Sequence, residues 1–139
     1  MLLRGDLGSG KTCFVQGLAA GLGVAPELAV TSPTFILHAE YPGRLILNHL
    51  DLYRLRDPEA LEGLGIAEML SDPDAVMAIE WPELLGCLPG DKYLDIALSN
   101  PGGDRRELAF SAFGKRHAWL LGSWLDNAER NGYGFTVSS

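Results

Sequence analysis

The chain has 139 residues, 47% hydrophobic and 21% charged, and no apolar run near the ~20 residues that a membrane-spanning helix requires. Eighteen acidic against eleven basic side chains leave a formal charge of -7, which excludes a broad basic field for a nucleic-acid backbone; neither DNA nor a membrane is an expected partner. The first residues lack the basic-then-apolar pattern of a signal peptide, and Cys13 and Cys87 have no metal-ligand spacing, so a cytoplasmic, reducing compartment is expected.

In chain order, "MLLR" reads as the short first strand, ~13 Å when extended. The glycine loop "GDLGSGKT", Gly5 to Thr12, follows. Lys11 to Leu22 places Phe14, Val15, Leu18, Ala19 and Leu22 at helical spacing, with Gly21 and Gly23 as stop signals. Thr34 to Glu40 and Leu45 to Leu50 read as two strands joined by "YPGR", where Pro42 and Gly43 suit the centre of a type II turn. Glu59 to Leu70 is helical in composition, but Gly63 and Gly65 each cost about 1 kcal/mol relative to alanine, which allows one helix or two short pieces. "AVMAI", Ala75 to Ile79, is a continuous apolar run ending at Glu80 and fits a strand buried on both faces. Pro82 opens a short helix closed by Pro89. Tyr93 to Leu98 and Arg105 to Phe110 alternate around "NPGGD" as a second hairpin. Lys115 to Ala128 closes the chain as a helix with Ala118, Leu121, Trp124 and Leu125 as its packed face, and residues 129–139 read as a loose tail. With no repeat or linker, residues 1–139 are expected to form one α/β domain whose sheet mixes parallel and antiparallel strands.

The loop carries the chemistry. Gly5, four intervening residues and then Gly10, Lys11 and Thr12 match the phosphate-binding pattern, and a helix follows as the mechanism requires. Glycines let successive backbone N–H groups turn around phosphate oxygens, Lys11 reaches the terminal phosphates, and the Thr12 hydroxyl is a Mg²⁺ ligand; the blander reading is a glycine turn capping a helix. Hydrolysis also needs a carboxylate near the metal and a group that orients water. Asp51 and Glu80 each end a predicted strand, at the edge where α/β sheets present ligands, although Asp51 also reads as a helix cap or surface charge. "TSPTF", Thr31 to Phe35, is either a loop that senses the terminal phosphate or an ordinary turn. His38 and His49 read as surface or partly packed rather than metal ligands. Arg54 is open to pairing with Asp51, with a phosphate or with solvent. Trp81 either walls the nucleotide site or belongs to the core.

Together "GDLGSGKT", "TSPTF", "NHLDLYRL" and "AIEWPE", in this order and at these separations, resemble the TsaE (YjeE) family of P-loop ATPases, from the first residue to about Phe113. The resemblance implies a P-loop NTPase-like three-layer α/β sandwich. It also implies an ATP- and Mg²⁺-dependent role in forming threonylcarbamoyladenosine on tRNA, together with a TsaB–TsaD complex and with tRNA engaged only indirectly. Carried over by position, Asp6, Leu7, Gly8, Ser9, Gly10, Lys11, Thr12 and Cys13 would surround the phosphates, and Trp81 would lie near the nucleotide. Thr12 and Glu80 would hold the metal, Asp51 would complete its sphere or orient the attacking water, and Ser32 and Thr34 would belong to the phosphate-sensing loop. Cys13 stands where the family usually has a second Thr or Ser, a stronger donor, which softens the α-phosphate contact. Family members carry a further helix and the start of the first strand ahead of the loop, so the chain is expected to begin inside that strand. No separate arginine finger is evident, which implies slow hydrolysis quickened by partners. A small-molecule P-loop kinase and a nucleotide-dependent interaction module are the competing readings; the scattered arginines, without a lid cluster, speak against the kinase.

Overall fold

The computed structural model describes residues 1–33, 35–86 and 90–134. Its apolar runs form the strands of one sheet: β1 (Leu2–Arg4), β2 (His38–Tyr41), β3 (Ile46–Asp51), β4 (Ala75–Glu80), β5 (Leu94–Gly102) and β6 (Arg105–Ala112). The strand order is β2-β3-β4-β1-β5-β6. Strands β3, β4, β1 and β5 run parallel, and β2 and β6 close the edges antiparallel. The "MLLR" strand thus lies in the middle of the sheet, paired on both sides.

Side-chain alternation along the strands separates two cores. Leu3, Leu47, Ala78 and Ile96 face α1 (Lys11–Gly21), which contributes Val15 and Ala19. Their neighbours Leu2, Leu50, Met77 and Ile79 face the opposite side, where Leu61 of a 3₁₀ segment (Pro58–Leu64) and Ile66 and Met69 of α2 (Ile66–Ser71) cover them. Helical layers on both faces of a mixed sheet give three layers, the expected α/β architecture. Each of these fully buried leucines and isoleucines contributes about 2 kcal/mol by leaving water. Gly65, at φ 66°, divides the 3₁₀ segment from α2, so Glu59 to Leu70 folds as two pieces.

Four expectations are corrected. Residues 35–37 do not extend the first hairpin strand: the Ile36 and Leu37 N–H groups both donate to the Pro33 carbonyl, and Leu37 sits at φ 60°. The turn chemistry around Pro33 overrides the apolar run, and β2 starts only at His38. The link after Tyr41 is not a type II turn, because Gly43 lacks the positive φ that such a turn requires. Gly43 is small for another reason: a Cβ there would lie 2.7 Å from the Leu22 carbonyl oxygen, which also accepts the Arg44 N–H at 2.6 Å. Strands β5 and β6 reach into "NPGGD" to within a few residues of each other, with an irregular register between Ser99 and Gly102 that accommodates Pro101 at the sheet edge. Finally, α3 (Lys115–Arg130) forms and continues past Ala128 into residues expected as tail, but it buries no residue completely, because it lies beside an edge strand. Its Ala118 is exposed, and Trp124 packs edge-on against Phe14 and Phe110. Pro89 and Cys87 lie outside the described residues, as does residue 135 onward. No helix among the described residues is long and apolar enough to cross a membrane.

Candidate functional site

Chain direction brings the site together. The parallel strands β1, β3 and β4 all end at the same edge, so the glycine loop after β1 meets the last residues of β3 and β4 there. Gly5 leaves β1 at φ 138°, and a Cβ at this position would lie 2.2 Å from the Leu98 carbonyl oxygen of β5. Only glycine fits so close to a neighbouring strand. The loop then closes through the Ser9 N–H on the Asp6 carbonyl, and α1 begins with the Phe14 N–H on the Gly10 carbonyl. Ser9 is buried beneath the loop, so it packs as well as fills the curve, while Leu7 stands exposed at the tip.

Lys11 is almost fully buried, with Nζ donating to the carbonyls of Gly5 (2.6 Å) and Asp6 (2.9 Å). The ammonium also lies 4.0 Å from the centre of the Trp81 ring. Burial lowers the Lys11 pKa from its usual value, and the nearby Glu80 and Asp51 carboxylates oppose that shift. Trp81 itself, at φ 59°, packs against the core residues behind β4 and meets the Tyr53 ring at 5.0 Å, tilted by 38°. It is therefore both wall and core.

Asp51 and Glu80 are register partners on adjacent parallel strands, so their side chains emerge from the same face. Both are buried. Glu80 Oε1 accepts from the Thr12 hydroxyl and from His49 Nε2, each at 2.9 Å. Because Thr12 donates its proton to Glu80, its oxygen lone pairs stay available to a cation. Asp51 accepts from the Ser32 hydroxyl and, at 3.0 Å, from the Tyr53 N–H. A carboxylate pair this buried is unfavourable without positive charge between its members.

These groups line a cavity of about 620 Å³, an ordinary size for a small-molecule site. Of the residues expected from sequence, Leu7, Gly8, Gly10, Lys11, Thr12, Cys13, Ser32, Asp51, Glu80 and Trp81 face it. Asp6 and Ser9 do not: Asp6 is exposed, with its carbonyl accepting from the Ser9 N–H and Lys11 Nζ, and Ser9 is buried beneath the loop. Thr34 lies outside the described residues. Among the described residues, no group of three or more His, Cys, Asp or Glu side chains is placed to hold a metal by itself. The oxygen set of Thr12, Asp51 and Glu80 suits a hard cation that takes its remaining ligands from phosphates and water.

Sequence reasoning missed His49. It is fully buried rather than at the surface, and among the described residues its Nδ1 has no hydrogen-bond partner. The available signal was its place two residues before Asp51, which puts both on one face of β3. His38, by contrast, pairs with Asn48 on the first hairpin.

A glycine loop between the central strand and α1, with acidic side chains supplied by the parallel strands β3 and β4 on one side of it, defines a P-loop nucleotide-binding protein. The family model for threonylcarbamoyl adenosine biosynthesis protein TsaE matches residues 1–108, and the chain belongs to that family. A relative from Bacillus subtilis, named tRNA threonylcarbamoyladenosine biosynthesis protein TsaE, is 40% identical over 121 residues, covering 86% of this chain and 73% of its own. A relative of the same name from Treponema pallidum is 49% identical over 108 residues, 78% of each chain. Among solved structures, Bacillus subtilis YdiB superposes with a TM-score of 0.74 at 33% identity, covering 91% of this chain and 76% of that one.

Proposed function

We propose that this protein is a cytoplasmic, Mg²⁺-dependent ATPase that serves threonylcarbamoyladenosine modification of tRNA together with a TsaB–TsaD complex. The observation that carries the reading is the convergence of Lys11, Thr12, Asp51 and Glu80 on one cavity at the carboxyl edge of the parallel strands, in a chain of the TsaE family. The loop from Gly5 to Thr12 binds the phosphates through its backbone N–H groups, aided by the start of α1. Lys11 gives up its two loop carbonyls and turns to the terminal phosphates. Thr12, Glu80 and Asp51 would hold Mg²⁺, which would supply positive charge to offset that of the phosphates. Ser32 holds Asp51 through its hydroxyl, and His49 holds Glu80. Residues of the Thr31 to Phe35 loop, Thr34 included, report the terminal phosphate. With a net charge of -7, the protein acts on tRNA indirectly, by docking on its protein partners.

Measuring ADP release from ATP with and without TsaB–TsaD, beside a Lys11→Ala control, tests this. Slow release by the protein alone, raised by the partners and abolished by the substitution, is expected. Release that does not depend on Lys11 under either condition overturns the ATPase reading, and full turnover without partners overturns their role as activators.

A further inference from the structure

The cavity lining includes a second cation, Arg54, from the turn that follows β3. Its guanidinium lies 4.6 Å from the centre of the Phe35 ring, and among the described residues it makes no hydrogen bond or ion pair. Asp51, three residues earlier, forms no ion pair with it; the Asp51 oxygens accept from Ser32 and the Tyr53 N–H. Arg54 thus lines the cavity while its guanidinium rests on Phe35 at the cavity's margin, with no acceptor of its own among the described residues.

Charge points the same way. A triphosphate brings several negative charges into a cavity that already holds the Asp51 and Glu80 carboxylates, and Lys11 and Arg54 are the cationic side chains that line it among the described residues. A solvent-exposed stacking contact on Phe35, itself 86% exposed, is weak beside bidentate, charge-assisted hydrogen bonds to phosphate. When phosphate is present, the phosphate wins.

We propose that Arg54 is a catalytic residue of this site, an arginine supplied by the chain itself that leaves Phe35 to hold the terminal phosphate of ATP during hydrolysis; the assignment rests on the ATPase reading. In that step the oxygen of a water bonds to the γ-phosphorus, and the bond from the γ-phosphorus to the β–γ bridging oxygen breaks. The electron pair of that bond leaves with ADP, and a water proton passes to solvent. Arg54 donates to γ-phosphoryl oxygens as charge redistributes over them and the bridging oxygen. Its fork geometry matters, so lysine is a poor substitute. The turn that carries it is fixed by the Leu55 N–H on the Leu52 carbonyl, at 2.8 Å.

The test compares wild type, Arg54→Ala, Arg54→Lys and Lys11→Ala, each with TsaB–TsaD, by ADP release and by separate titrations with ADP and with a non-hydrolysable ATP analogue. Arg54→Ala is expected to lose about 1,000-fold in turnover, while its ADP affinity stays within about threefold of wild type. Arg54→Lys is expected to recover less than about tenfold of the loss. Turnover by Arg54→Ala within about threefold of wild type overturns the proposal, as does a loss of ADP affinity as large as the loss of turnover, which marks a general phosphate contact. Wild type without Lys11-dependent ADP release overturns the ATPase reading and this role with it.

Discussion

Replacing Gly5 by alanine tests the glycine loop at its tightest point. The added Cβ would meet the Leu98 carbonyl oxygen at 2.2 Å and the Ser9 hydroxyl at 2.7 Å, and alanine would be held at φ 138°. Backbone strain of about 1–3 kcal/mol adds to an overpacking cost of about 1–3 kcal/mol, because neither the β5 backbone nor buried Ser9 can withdraw freely. The expected loss is about 2–6 kcal/mol, a large share of the ~5–15 kcal/mol that holds a domain together. At ~4 °C per kcal/mol for a chain of this size, Gly5→Ala should melt about 8–24 °C below wild type. Gly8→Ala is the control: it also imposes a positive φ, at 79°, but its Cβ meets nothing within 4 Å. Strain alone costs about 1–2 kcal/mol there, or about 4–8 °C. Far-UV circular dichroism of the two variants during heating measures both. Equal losses, or a smaller one for Gly5→Ala, would refute the claim that β5 presses on the loop.

Glu80→Gln keeps the shape that receives Thr12 and His49 but removes the charge, so stability should change by no more than about 1 kcal/mol while Mg²⁺-stimulated ADP release falls about 100-fold or more. Nucleotide titration in chelator should show undiminished affinity, since a negative charge has left the phosphate site. Lys11→Met leaves the stem buried and removes the ammonium; nucleotide affinity should fall by about 2 kcal/mol, roughly 30-fold, with melting temperature moved by only a few degrees. His117 gives a pH signature. Burial, then the charge of the Met1 ammonium and of Arg116, holds its pKa below the usual histidine value, so the unfolded chain binds the proton more readily than the folded one. Stability should therefore fall as pH drops from about 6.5 toward the lower folded value, and urea unfolding of His117→Gln across that range should lack this component.

Several elements were readable because their cause is local. The glycine loop, α1 and the Ala75–Glu80 strand each carry their pattern within a few residues, while Gly63 and Gly65 left one helix and two short pieces equally open. The two acids were legible as strand-terminal carboxylates at the ligand edge of the sheet, although Asp51 read also as a helix cap or surface charge, and the β3–β4 register that sets them side by side was not legible. His49 was not readable as a buried partner of Glu80, because its burial depends on a residue on another strand, 31 positions away. Gly43 likewise looked like a turn residue while its real constraint is the end of α1 coming close. The apolar spacing of α3 predicted the helix but not its shallow docking, which follows from β6 being an edge.

The Lys11 ammonium resting on the carbonyls of its own loop has a consequence for any binding measurement. Those oxygens act as a stand-in for phosphate and hold the loop closed around the amine. Nucleotide uptake is then an exchange reaction, and a measured dissociation constant reports the difference between two sets of contacts. A ligand that engages the loop but leaves the amine where it rests would escape that competition altogether.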